Sequence, residues 1–213
     1  LFSATFMTLN LLPYGVTPDG QRFLVLEAKD REIARLSGIY VTNLSNAGAE
    51  IVHAKARLQD AHTIELVGKG TVTADKILIA TGGRPWKPTE FAGAEHIITS
   101  EEAFHLPELP KRIMIAGGGY IAVEFANIFH GLGVDTKLIY RGAEILSRFD
   151  GDMRRGLHEA MERKGIEIIC HDVFQKIEKG QDGRLCATTS KGRELIADQV
   201  MLALGRVPNT EHL

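Results

Sequence analysis

The chain has 213 residues, of which 44% are hydrophobic and 24% charged, as is typical of a globular protein with one large or two small domains. Its net charge of −2 gives no field that would attract nucleic acid or an acidic lipid surface. No apolar stretch has membrane-spanning length and no signal peptide is recognisable, so we expect neither a nucleic-acid nor a membrane partner.

The two cysteines, Cys170 and Cys186, lie in apolar, strand-like stretches and have neither CxxC nor metal-ligand spacing. We therefore expect buried structural thiols and, as a default, a cytoplasmic location. The eight histidines do not cluster at metal-ligand spacing, and we predict no metal site.

The first half of the chain predicts a helix followed by strands. Residues 1–22 are unassigned, and we expect a foreign segment there. Apolar residues recur at helical spacing from Glu27 to Leu44, and Gly48 is the predicted helix stop. The patterns over residues 50–58, 63–67 and 71–80 predict three strands. Residues 84–110 hold four of the seven prolines and predict a connecting segment with one short helix after Ser100.

The second half predicts a compact α/β unit over residues 111–205. Asp150 is the predicted cap of a helix that carries Met153, Leu157 and Met161 on one face. The other predicted elements are strands over 113–116, 137–140 and 166–170, a helix over 121–132, a hairpin of 173–179 with 185–189, a pairing strand over 194–196, and a last strand over 200–204.

A glycine-rich turn, Gly117-Gly118-Gly119-Tyr120-Ile121-Ala122, joins the strand over 113–116 to the helix after it. A strand, this turn and a helix are the pattern of a dinucleotide-binding unit. Gly117 would permit the tight turn, Gly119 the approach of the pyrophosphate, and Ala122 close packing of helix on strand. The helix N-terminus would attract the anion.

Arg141 stands at the end of the next strand, where a site for NAD has an acid that binds the ribose hydroxyls. No acid follows until Glu144. A guanidinium can bind a 2′-phosphate with paired hydrogen bonds, so the pattern favours NADPH over NADH.

Two segments share an order of residues. KILIATGGRPWKP and QVMLALGRVPNT each have an apolar stretch, a glycine, and then arginine and proline close behind. We interpret both as points where a strand ends and the chain passes towards a neighbouring domain.

The chain resembles the glutathione-reductase-like class of pyridine nucleotide–disulfide oxidoreductases over about residues 25–213. The matching segments are AKDREIAR, ILIATGGRP, ITSEEAF, LPKRIMIAGGGYIAVEFANIFHGLGV, YRGAEILSRFD and LALGRVPNT. The resemblance implies an α/β fold: a Rossmann-like NADPH domain with a parallel sheet and an antiparallel β-meander, plus part of an FAD-binding domain. It implies a partial FAD-binding domain over 23–83, a connection over 84–110, the NAD(P)H-binding domain over 111–205, and a return to the FAD domain over 206–213.

The resemblance also implies roles for single residues. Tyr120 would cover the flavin, and Glu124 would pair with a lysine near it. Arg141 would bind the 2′-phosphate. A second arginine of the family pattern is displaced by one position in this sequence, so Ser147 and Arg148 are the candidates for a second contact to the 2′-phosphate. The remaining implied cofactor contacts are Gly117, Gly118, Gly119, Ile121 and Gly205 for NADPH, and Lys55, Ala56, Thr81 and Gly82 for FAD.

The implied reaction passes hydride from NADPH to FAD, then electrons to an active-site disulfide and on to glutathione disulfide, in a homodimer. The family's redox cysteine pair is not found in the sequence. We therefore expect an internal fragment that is inactive alone. Two alternatives stay open: another reductase of the superfamily, such as one like dihydrolipoamide dehydrogenase or mercuric reductase, and a nucleotide-binding module without catalysis.

Overall fold

The computed structural model describes residues 24–88, 90, 92–211 and 213, and the unassigned stretch 1–22 lies outside them. The chain divides into two compact units. Unit 1 contains the described residues up to Ile79 together with Glu211 and Leu213, and unit 2 contains residues 80–210. The assignment of ranges to FAD and NADPH domains stays a prediction. Among the described residues, no helix has the length and apolar character needed to cross a membrane.

Unit 1 consists of one helix and one small antiparallel sheet. Helix α1 (Leu24–Asn46) includes the range predicted from helical periodicity, and Gly48 follows it with a φ of 78°. The sheet has the order β1-β2-β3, with β1 (Ala56–Leu58), β2 (Thr63–Leu66) and β3 (Gly70–Thr73). None of the side chains described in unit 1 is buried.

Two of the strands predicted in unit 1 are shorter than expected. The strand predicted over 50–58 begins only at Ala56, and the one predicted over 71–80 ends at Thr73. Within the described residues no strand pairs with 74–80, and a backbone segment without a partner forms no ladder. Leu78 is accordingly 89% exposed.

Unit 2 is built on a five-stranded parallel sheet of order β5-β12-β6-β7-β8, which confirms the predicted α/β class. Its elements in chain order are β4 (Gly83–Pro85), β5 (Ile97–Ile98), α2 (Ser100–Ala103), β6 (Arg112–Ala116), α3 (Tyr120–Gly131), β7 (Asp135–Tyr140), α4 (Gly151–Lys164), β8 (Glu167–Cys170), β9 (Phe174–Lys179), β10 (Leu185–Thr189), β11 (Glu194–Ala197), β12 (Gln199–Leu202) and β13 (Arg206–Pro208).

The parallel sheet is covered on both faces because successive side chains of a strand point to opposite sides. In β6, Ile113 and Ile115 pack into a cluster with residues of α3 and α4. Met114 and Ala116 pack into a second cluster with residues of the antiparallel meander β11-β10-β9. The two clusters form the core of unit 2, and the meander matches the predicted hairpin and its third strand.

The predicted connecting segment contributes to this sheet. Thr99 caps α2, the short helix expected after Ser100. Strand β5, which the sequence analysis did not predict, pairs in parallel with β12 and forms one edge of the sheet. A two-residue strand is too short to give a periodic signal.

The residues predicted on one face of α4 differ in burial, and the expectation of buried cysteines is wrong. On α4, capped by Asp150 as predicted, Met161 is 1% exposed but Met153 is 68% exposed. The helix therefore contacts the core through its later turns, with Leu157 and Met161. Cys170 and Cys186 are free and only partly buried. Cys170 lies on the edge strand β8, and Cys186 lies on the more exposed face of β10.

The two similar segments meet in space. Strand β4 from GGRP pairs antiparallel with β13 from GRVP, with Val207 opposite Arg84. The amide of Trp86 then donates a hydrogen bond to the carbonyl of Gly205 at 3.0 Å. The similarity detected in the sequence thus marks two strands of one ribbon.

Candidate functional site: a cleft at the carboxyl edge of the parallel sheet

A cleft of about 840 Å³ lies in unit 2 at the carboxyl ends of β12, β6 and β7. This edge is where open parallel sheets bind ligands. The lining residues come from the turn after β6, the loops after β7, β8 and β12, and the segment after β4: Trp86, Pro88, Ala116, Gly117, Gly118, Gly119, Tyr120, Ile121, Ile139, Tyr140, Arg141, Leu146, Ser147, Arg148, Phe149, Val173, Phe174, Leu202, Ala203, Leu204, Gly205 and Arg206.

The glycine turn contains two glycines with different surroundings. A Cβ at Gly117, whose φ is 140°, would lie 2.4 Å from the carbonyl oxygen of Ala203. Only glycine therefore fits at this position, directly after the paired ends of β6 and β12. At Gly119 a Cβ would have no neighbour within 4 Å. Gly119 is the N-cap of α3 and offers no capping side chain. The amides of this helix N-terminus therefore face the open cleft.

Gly118 is required by the packing of a neighbouring side chain, which the glycine motif did not predict. A Cβ at Gly118 or at Gly142 would lie 2.5 Å from the ring of Tyr140. The phenol ring at the end of β7 is thus held between two glycines. The two glycines give the ring its place in the wall of the cleft.

The loop after β7 is fixed at several points. The guanidinium of Arg154 donates hydrogen bonds to the carbonyls of Glu144 and Ile145 at 3.3 and 3.1 Å and lies 3.4 Å from the Glu144 carboxylate. Leu146 adopts a φ of 55°, which is strained for a branched side chain, and its amide bonds to the carbonyl of Gly118. The anchored loop presents Ser147 and Arg148 to the cleft.

The cleft is electropositive. Arg141, Arg148 and Arg206 line it, whereas no Asp or Glu among the described residues does. Arg206 bonds to the carbonyl of Gly83, but Arg141 and Arg148 have no ion-pair partner in the described part of the chain. Both side chains are exposed and free to bind an anion.

A buried carboxylate supports one wall. Asp172 is 1% exposed, and its Oδ1 accepts hydrogen bonds from the Val173 amide at 2.9 Å, the Ser190 hydroxyl at 2.6 Å and the Lys191 amide at 3.3 Å. Burial alone would raise the pKa of Asp172, but these hydrogen bonds and one from Thr189 lower it. Asp172 thereby fixes Val173 and the start of β9 against the cleft.

A glycine turn that leads from a parallel strand into a helix N-terminus is a feature of dinucleotide-binding folds. The model of the pyridine nucleotide-disulphide oxidoreductase family matches residues 7–213. The chain belongs to this family.

Three similar curated relatives of this chain are glutathione reductases. This chain is 46% identical over 185 residues to the glutathione reductase of Nostoc sp. (strain PCC 7120), and the alignment covers 86% of this chain and 40% of the relative. It is 41% identical to the glutathione reductase of Burkholderia cepacia, with 87% and 41% covered, and 40% identical to the chloroplastic/mitochondrial enzyme of Pisum sativum, with 87% and 33% covered. The chain thus spans about two fifths or less of the length of these relatives.

A solved structure shares the fold of the oxidoreductase. The HOCl-induced flavoprotein disulfide reductase RclA from Escherichia coli superposes with a TM-score of 0.79 at 24% identity, over 88% of this chain and 43% of the other. The likeness confirms the fold of this family member.

The structure brings together nine of the residues predicted to contact a cofactor. Those that line the cleft are Gly117, Gly118, Gly119, Tyr120, Ile121, Arg141, Ser147, Arg148 and Gly205. Glu124 is exposed on α3 and does not line it. The residues predicted for FAD are also outside the cleft: Lys55 and Ala56 are exposed in unit 1, and Thr81 and Gly82 are exposed in unit 2.

Sequence reasoning missed several residues of the oxidoreductase's cleft. Trp86 and Tyr140 both contribute to its wall, and Val173 and Phe174 enter it from the loop after β8. The signal for Tyr140 is the pair Gly118 and Gly142, each two residues after the end of a strand, because their missing side chains leave room for the phenol ring. Trp86 lies far from the glycine turn in sequence, and the pairing of β4 with β13 brings it to the cleft.

Proposed function

We propose that this chain binds NADPH in the cleft of unit 2 as part of an NADPH-dependent, FAD-containing disulfide reductase that acts on glutathione disulfide. One observation carries the proposal: Arg141 and Arg148 line the cleft beside an uncapped helix N-terminus, without an ion-pair partner in the described part of the chain and without an acid in the lining. Such a site attracts a ligand with several negative charges.

The cleft suits the phosphates of NADPH at two places. The pyrophosphate would lie at the N-terminus of α3, where Gly119 leaves open space beside free amides. The 2′-phosphate would be bound by Arg141, with Ser147 and Arg148 beside it. Glu144, the first acid after β7, is held by Arg154 and does not line the cleft, which disfavours recognition of the ribose hydroxyls of NADH.

The roles proposed around the flavin rest on the resemblance. When bound, NADPH would supply a hydride to FAD, while the protein binds and orients the two cofactors. Tyr120 is 55% exposed, as a movable cover of the nicotinamide end would be. Glu124, Lys55, Ala56, Thr81 and Gly82 remain proposed flavin-site residues.

The substrate and the assembly are proposed on the same ground. Three relatives that are 40–46% identical are glutathione reductases, and this supports glutathione disulfide over another disulfide. A homodimer is the assembly that the family resemblance implies. Arg141 argues against an NAD-dependent reductase like dihydrolipoamide dehydrogenase.

The proposal is tested by calorimetric titration of the chain with NADPH and NADH. We expect Arg141→Ala to weaken NADPH binding by ~1.5 kcal/mol or more and to leave NADH binding unchanged, because only the 2′-phosphate contact is removed. Arg163→Ala is the matched control, since Arg163 is 69% exposed on α4 and does not line the cleft. Equal affinities of the wild-type chain for the two nucleotides would refute the proposal.

A further inference from the structure

Trp86 lies at a fixed backbone position beside the cleft. Its amide donates to the carbonyl of Gly205 at 3.0 Å, and the ammonium of the next residue, Lys87, donates to the carbonyl of Ile97 at 2.6 Å. The segment is therefore tied both to the loop after β12 and to β5. The indole nevertheless lines the cleft and is 45% exposed, although a tryptophan gains much from burial.

The order of the strands gives the cleft a direction. Arg141 follows β7, the glycine turn follows the central strand β6, and Gly205 follows β12. Adjacent strands lie roughly 4.8 Å apart, so the ends of β7 and β12 are separated by about 10 Å. Trp86, bonded to Gly205, is on the side of β12. The cleft thus has Arg141 and Arg148 on one side and the helix N-terminus in the middle. On the other side it has the indole together with Arg206, whose guanidinium bonds to the Gly83 carbonyl.

This arrangement matches the order of groups in a dinucleotide. With the 2′-phosphate of the adenosine half at Arg141 and the pyrophosphate at the N-terminus of α3, the second base extends towards β12. Leu204, which is 48% exposed, also follows β12 and lines the cleft, and Tyr120, which is 55% exposed, lines it at the N-terminus of α3. A flat heteroaromatic ring gains free energy by packing on an aromatic side chain.

We propose that Trp86 forms the wall that packs against the nicotinamide riboside half of the bound nucleotide. This inference rests on the proposed binding of NADPH and adds a positioning residue to it. In this proposal Trp86 contacts the nicotinamide riboside half of the ligand and not the adenosine half. Removing the indole should therefore weaken a whole dinucleotide and leave its adenosine half unaffected.

Calorimetry with two probes tests the inference on the full chain. For Trp86→Ala we expect NADP⁺ to bind about tenfold more weakly, while adenosine 2′,5′-bisphosphate binds with unchanged affinity. Trp86→Phe keeps an aromatic face and should retain NADP⁺ affinity within roughly threefold. Tyr40→Ala, which removes an exposed aromatic ring of α1, should change neither affinity.

The outcomes are distinguishable. Unchanged NADP⁺ binding by Trp86→Ala, or equal loss of both ligands, would overturn the role of Trp86 while the nucleotide site stands. If the wild-type chain binds neither probe, the proposed function fails and this inference fails with it.

A second measurement uses the indole itself. Trp86 is the single tryptophan of the sequence, so the tryptophan fluorescence of the chain reports this position alone. NADP⁺ should change the emission intensity, whereas adenosine 2′,5′-bisphosphate at saturation should leave it nearly constant. Equal responses to both ligands would contradict the proposed placement.

Discussion

Gly117 and Gly119 stand two residues apart in one turn, and their substitution should have opposite consequences. We expect Gly117→Ala to destabilise the fold by about 2 kcal/mol or more, because the methyl group would collide with the Ala203 carbonyl at a left-handed φ. Gly119→Ala should lower the free energy of unfolding by less than about 1 kcal/mol, because the φ of Gly119 is −85° and its surroundings are open. The same substitution should lower NADPH affinity about tenfold, because the methyl group would occupy the space proposed for the pyrophosphate.

Chemical unfolding and calorimetry of the two glycine variants check this pair of outcomes. Gly131→Ala is the control, since its Cβ would meet nothing within 4 Å and Gly131 lies at the end of α3, away from the cleft. It should alter neither stability nor binding appreciably. A Gly119→Ala variant that keeps full NADPH affinity would show that no ligand approaches the helix N-terminus there.

At the scale of single elements, the sequence predicted what periodicity and local chemistry determine. The glycine turn, the α4 cap at Asp150 and the hairpin of β9 with β10 all have local signals, and all are confirmed. The two-residue strand β5 and the position of Trp86 depend on pairing between segments distant in sequence, namely β5 with β12 and β4 with β13. Periodicity carries no information on such pairing, so these features could not be predicted.

The β8–β9 connection depends on the buried carboxylate of Asp172. We expect Asp172→Asn to lower the free energy of unfolding at pH 7 by about 1.5–3 kcal/mol, since hydrogen bonds to a charged acceptor are replaced by weaker ones. The pKa of Asp172 is lower in the folded than in the unfolded chain. Its stabilisation is therefore complete above the unfolded pKa, near 3.9, and decreases as the pH falls through the lower, folded pKa.

Denaturant unfolding at pH 7 and at about pH 3.5 measures this linkage. The difference between wild type and Asp172→Asn should be smaller at the acidic pH. Asp75→Asn, which changes an exposed carboxylate of unit 1, should have little effect at either pH. A stability difference that grows on acidification would contradict the assignment of Asp172 as a stabilising anion.

At the scale of the whole molecule, burial is unequally distributed. Unit 2 contains both hydrophobic clusters, whereas unit 1 has no buried side chain among its described residues. The cleft proposed to bind NADPH lies entirely within unit 2. Nine of the residues predicted to contact a cofactor line this cleft, because one strand–turn–helix–strand unit and the end of β12 hold them. The residues predicted for FAD are divided between the two units, and the role of every one of these residues stays a prediction.

Hydrogen–deuterium exchange of the whole chain with and without NADPH locates the bound nucleotide on the sequence and so tests the proposed NADPH site. We predict slower exchange on NADPH binding in peptides that cover residues 117–123, 141–149 and 203–206, with a smaller effect of NADH at the same concentration. The sheet of unit 1, residues 56–73, should exchange as in the free protein. Unchanged exchange at residues 117–123 under saturating NADPH would contradict the proposed binding of NADPH at the N-terminus of α3.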